Sequence, residues 1–78
     1  MDILKRFGRR LRELRRSRRW SESELADRWG VDAAHVTEVE EGKAEVRILD
    51  LDRLAQVFDL SIAELLEGTD ARSDDGSD

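Results

Sequence analysis

Apolar residues fall at helical spacing in two long stretches of the chain. Leu4, Phe7, Leu11 and Leu14 follow an i, i+3, i+4 pattern over about Ile3–Ser17, the mark of one buried helical stripe. Ile48, Leu51, Leu54, Ala55 and Phe58 draw a second stripe over about Ile48–Phe58. Three shorter apolar groups lie between and after them, at Leu25–Ala26, Val36–Val39 and Leu65–Leu66. The pattern predicts further helices over about Glu22–Trp29, Ala33–Glu41 and Ile62–Glu67, so the expected fold is all-α with five short helices.

The short helices carry clear start signals. Ser21 followed by Glu24 spells a capping box, in which the Ser oxygen accepts from the Glu24 amide and Glu24 reaches back. Trp20 and Leu25 flank it as a hydrophobic staple. Ser61 with Glu64 repeats the box, with Leu60 and Leu65 as the staple, and Asp32 caps the middle segment between Val31 and Val36. Stops are expected at Gly30, Gly42 and Gly68, because glycine readily takes the left-handed conformation that ends a helix. The start of the Ile48–Phe58 helix is weakly marked, since Arg47 is a poor cap. Two capped helices around Gly30-Val31 form a helix-turn-helix, with Leu25, Ala26, Val36 and Val39 as its core. Residues 1–68 read as one domain. The remaining TDARSDDGSD has no apolar pattern and reads as a disordered acidic tail, residues 69–78.

Composition narrows the function classes. No cysteine and no proline occur among the 78 residues, so disulfides and thiolate metal sites are out and continuous helix is favoured. The apolar runs are too short for a membrane span or a secretory signal, and a cytoplasmic protein is expected. No nucleophile–base pair, phosphate-binding glycine loop or metal cluster is present, so neither an enzyme nor a cofactor is expected. A lone histidine, His35, does not make a metal site, and the tryptophans Trp20 and Trp29 read as core and staple residues.

Charge changes the picture most. The net charge is −5, but the sign is segregated. Residues 1–20 hold nine basic residues against two acidic ones, a net of +7; residues 21–68 hold four against thirteen, a net of −9. On the first helix Lys5, Arg9, Arg12 and Arg16 project opposite the apolar stripe. That face is either a solvated surface or a surface for nucleic acid or an acidic protein.

The whole pattern, Leu11-Arg12-Glu13-Leu14-Arg15, Ser21 through Ala26, Gly30-Val31, Val36 through Lys43, Leu54-Ala55 and Leu60 through Leu66, resembles the lambda-repressor/Cro-type (XRE-like) helix-turn-helix family over about residues 3–68. The resemblance implies a compact five-helix DNA-binding domain that binds double-stranded DNA and regulates transcription, with the third helix docked in the major groove through Ala33, Ala34, Thr37 and Glu38. His35 also lies on that helix. The resemblance further implies phosphate contacts at the start of the second helix, Ser21 and Glu22, and after the third, Glu41, Lys43 and Glu45, with Arg47 nearby. It also implies an internal pair between Arg15 and Glu40, which removes Glu40 from the DNA-facing charges.

Four of these positions depart from the family's neutral or basic habit. Glu22, Glu38, Glu41 and Glu45 are acidic and oppose the phosphate-driven term of DNA affinity. Glu38 remains compatible with base reading, because a carboxylate accepts from a cytosine amine. Three readings follow. One is a sequence-specific regulator, pairing as a homodimer through helices 4 and 5 or helix 1. The second is a helix-turn-helix reused as a protein-interaction module, meeting a partner through its acidic or its basic face. In the third, helix 1 itself grips nucleic acid while the third helix is idle.

Overall fold

The computed structural model describes residues 2–67. Five helices follow in order, α1 (Ile3–Ser17), α2 (Glu22–Trp29), α3 (Ala33–Glu40), α4 (Ile48–Phe58) and α5 (Ile62–Leu65). The expected all-α fold is therefore observed. α3 ends one residue and α5 two residues earlier than the apolar pattern suggests, because Glu41, Leu66 and Glu67 belong to closing turns. Gly68 and the acidic tail lie outside the described residues.

Every helix start uses a local device. The Ser21 and Ser61 boxes are both complete, with the serine oxygens 3.0 Å from the Glu24 and Glu64 amides. Asp32 Oδ1 accepts from the His35 amide at 2.8 Å. Two starts were less legible in sequence. Asp2 caps α1 through the Leu4 amide at 3.0 Å. At α4 the Asp50 carboxylate accepts from the Arg47 amide at 2.9 Å, which is half of a box and compensates for the poor cap.

The stops at Gly30 and Gly42 are left-handed, with φ of 88° and 74°. Arg19 and Asp59 take the same conformation without being glycine, with φ of 61° and 59°. Backbone bonds hold them there: the Trp20 amide donates to Arg15 and the Leu60 amide to Ala55, closing α1 and α4. These six-to-one bonds satisfy helix-end carbonyls that would otherwise be orphaned.

The core gathers Phe7 and Leu11 from α1, Leu25, Ala26 and Trp29 from α2, Val36 and Val39 from α3, Leu54, Ala55 and Phe58 from α4, and Leu65 from α5. Burying one leucine fully contributes about 2 kcal/mol, and four of them here have no exposed surface. α2 and α1 both pack on α3, while α4 packs on α2 and α5. Trp20 is half-buried against Phe58, with ring centroids 5.2 Å apart.

One glycine decides how closely α1 meets α3. A Cβ at Gly8 would sit 2.5 Å from the Val39 carbonyl oxygen and also meet that of Glu40. The backbones therefore touch at the C-terminal end of α3, and no other residue fits.

Candidate nucleic-acid interface

α3 crosses α2 after the Gly30 turn and leaves one side free. Ala34 and Glu38 are exposed on it, and Ala33, His35 and Thr37 are half-exposed. The buried side of the same helix holds Val36, Val39 and Glu40. The helix-turn-helix thus places Ala33, Ala34, His35, Thr37 and Glu38 along one accessible edge.

The buried Glu40 is paired as expected, and more heavily. Its side chain has no exposed surface and meets Arg15 through Nε at 2.7 Å and Nη2 at 3.1 Å. Arg15 also donates from Nη1 to the Trp20 carbonyl at 2.9 Å. The hydrogen bonds to Glu40 hold the Arg15 guanidinium above its usual pKa, against the opposing effect of burial. Arg12 adds a third interaction, its Nε 3.4 Å from Glu40 Oε1. The sequence placed Arg12 with the outward basic face; the structure gives it a half-inward role, because α1 runs so close to the end of α3.

Two expected DNA contacts meet each other instead of standing free. The Thr37 hydroxyl lies 2.9 Å from Glu22 Oε1 and 3.2 Å from the Ala33 carbonyl. Its single proton is committed to one of these acceptors, so Thr37 has no donor left for a base. Glu22 in turn spans from the start of α2 to the middle of α3. The brace was invisible in sequence because it joins residues fifteen apart across the turn.

The flanks are mostly acidic. Lys43 Nζ lies 3.2 Å from Glu41 Oε1, so the cation after α3 is offset by its neighbour. His35 packs its ring on Trp29, centroids 5.4 Å apart, and its Nδ1 is 4.0 Å from Glu38 Oε1. A shallow cleft beside it is lined by His35, Ala44, Glu45, Arg47 and Asp50. Ser21 is exposed but occupied in its cap. Among the described residues, no group of acidic or histidine side chains is placed to hold a metal ion, and no helix is long and apolar enough to cross a membrane.

Helix 1 divides its cations. Arg10 donates to the Glu64 and Leu65 carbonyls at 2.6 and 3.2 Å, and Arg18 to the Phe58 carbonyl at 2.5 Å. These side chains close the C-terminal ends of α5 and α4. Sequence reasoning missed both roles. Their only signal was position, since Arg10 and Arg18 lie toward the apolar side of α1 rather than on its outer face. Lys5, Arg9 and Arg16 remain exposed.

Residues 6–67 match the profile of a family described as a helix-turn-helix domain. The chain belongs to that helix-turn-helix family. It is 35% identical over 68 residues to the SPbeta prophage-derived uncharacterized HTH-type transcriptional regulator YonR of Bacillus subtilis (strain 168), covering 87% of this chain and 63% of that protein. Among solved structures, the restriction-modification controller protein C.AhdI from Aeromonas hydrophila is similar at 39% identity. The match spans 82% of this chain and 91% of that one, with a TM-score of 0.74. The clp gene regulator ClgR from C. glutamicum superposes with a TM-score of 0.79 at 25% identity, over 86% and 87% of the two chains. The fold, five helices around a helix-turn-helix, and the XRE/Cro-type DNA-binding class are thus shared with transcriptional regulators.

Proposed function

We propose that this chain acts as a sequence-specific DNA-binding transcriptional regulator that reads the major groove with α3. The observation that carries the reading is the exposed edge of α3, set on α2 across the Gly30 turn with Ala33, Ala34, His35 and Glu38 available together. Ala33 and Ala34 suit thymine methyl groups, and Glu38 suits a cytosine amine. His35 supplies the edge's one side-chain donor, since the Thr37 hydroxyl is committed inside. In this reading Glu22 and Thr37 brace α2 against α3 rather than touch DNA. Ser21, Lys43 and Arg47 flank the edge as backbone contacts, with Lys43 weakened by Glu41.

Selection of duplexes from a random pool tests the reading. The wild type should enrich one sequence class, and Glu38→Gln should relax one base position by about 1–3 kcal/mol of discrimination. Failure of the wild type to enrich any sequence would defeat it.

Pairing as a homodimer is part of the proposal. Ile48 and Leu49, at the start of α4, are 79% and 75% exposed, and a two-fold contact that buries them would present two reading helices to half-sites, which lie about 34 Å apart one helical turn along DNA. Sedimentation of the wild type beside Leu49→Lys checks this, with dimer expected for the first and monomer for the second. The alternative, a protein partner on the acidic face, draws support from exposed Glu38, Glu41 and Glu45. It gains ground if a basic polypeptide displaces no DNA and Glu38→Gln leaves sequence enrichment unchanged.

A further inference from the structure

The flanks of α3 offer little positive charge, yet DNA affinity comes largely from phosphate neutralisation. We infer that the missing phosphate grip is carried by the outward stripe of α1, Lys5, Arg9 and Arg16, which runs along the DNA backbone beside the C-terminal end of α3. The inference rests on the DNA reading above and adds a second binding surface to it.

Placement is the first support. α1 is locked against the end of α3 by two backbone approaches. At Gly8 a Cβ would meet the Val39 and Glu40 carbonyls. At Gly42 a Cβ would lie 2.6 Å from Lys5 Cγ and 2.9 Å from Lys5 Cα. Lys5 therefore emerges directly beside Gly42 and Lys43, where the chain leaves the reading helix. From there the stripe continues along α1 for about 16 Å to Arg16, within an arc of about 40°. That length passes about five phosphates of one strand, at about 3.4 Å of axis each.

Availability is the second support. Lys5, Arg9 and Arg16 are exposed, and no carboxylate of the described residues lies within ion-pair distance of them. The other cations of this region are engaged: Arg15 by Glu40, Arg10 by helix-end carbonyls, Lys43 by Glu41. Arg12 stands between the two groups. It shares one carboxylate with Arg15, so the Arg12–Glu40–Arg15 cluster keeps a net positive charge, and the Arg12 side chain is 41% exposed. Glu13 borders the stripe on the side away from α3 and does not interrupt it.

The experiment measures binding of the full chain to mixed-sequence duplex DNA by fluorescence anisotropy across a series of salt concentrations. It compares wild type, the triple variant Lys5→Gln/Arg9→Gln/Arg16→Gln, and Arg53→Gln. Arg53 is a control, an exposed cation on the α4 side of the α2–α4 cleft. The slope of log affinity against log salt should fall by about 0.9 for each phosphate that is no longer neutralised, so by roughly 2–3 in the triple variant and not at all in Arg53→Gln. The sequence enriched by selection should stay the same, because phosphate contacts position without specifying. A triple variant with the wild-type slope overturns the inference while leaving the DNA reading standing. An unchanged slope together with abolished binding to polyglutamate assigns the stripe to an acidic protein and also overturns it. A wild type that binds no duplex at the lowest salt removes the DNA reading itself. Circular dichroism confirms folding, which these exposed side chains do not support.

Discussion

The two sides of α1 carry the same residue type to opposite ends. On the side facing the fold, Arg10, Arg15 and Arg18 reach the ends of α5, α3 and α4 and satisfy a buried carboxylate or helix-end carbonyls. On the outer side, Lys5, Arg9 and Arg16 are exposed, and their charged ends form no ion pair with a carboxylate of the described residues. The difference teaches that a net charge of +7 over residues 1–20 is not one electrostatic surface. Part of it is internal glue whose value is geometric, a planar fork matched to oxygen acceptors. Only the remainder is available at long range.

Mutations on the inner side should therefore act on stability, and those on the outer side on binding. The largest effect is expected from Glu40→Ala. It leaves Arg15 and Arg12 facing each other without their carboxylate, and urea unfolding should show a loss of about 3–5 kcal/mol. A loss below about 1 kcal/mol would show that the cluster adds nothing beyond packing. Gly8→Ala comes next. The methyl group must push α1 away from the Val39 and Glu40 carbonyls, and a loss of about 2–3 kcal/mol is expected despite the better helix propensity of alanine.

Arg18→Ala removes the donor to Phe58 and the cation stacked over Trp20 and Phe58. A loss of about 1–2 kcal/mol is expected, read as a lower thermal midpoint. Ser21→Ala should cost about 1 kcal/mol through removal of the α2 cap. Its drop in DNA affinity should be no larger than the rise in unfolded fraction explains, because the serine is occupied by its own helix. The smallest effect is expected from Arg9→Gln with Arg16→Gln, within about 0.5 kcal/mol in stability. A larger change there would erase the distinction between the two sides.

The α2–α3 unit shows the same division within a single helix. Glu38 and Glu40 stand two residues apart on α3, the first exposed and the second without exposed surface. Their spacing turns one toward the exposed edge of α3 and the other into the α1 junction. Charge counting along the sequence treats them alike. Only their angular position on α3 and the nearness of α1 separate an exposed carboxylate from a structural pair.

By itself the sequence determined the five helices, the caps at Ser21, Asp32 and Ser61, and the helix-turn-helix, because these depend on local rules. Apolar spacing, a serine oxygen within reach of an amide three residues on, and a glycine at a left-handed turn all act over one or two turns of chain. The stops at Arg19 and Asp59 escaped because the backbone bonds that stabilise them replace the residue preference that would have announced them. Tertiary structure alone decided the rest: that Thr37 turns to Glu22, that Arg10 and Arg18 close distant helices, and that Arg12 leans toward Glu40. Each of those hydrogen bonds joins residues fifteen or more positions apart. A charged side chain long enough to turn either way takes its role from what the fold brings within its reach.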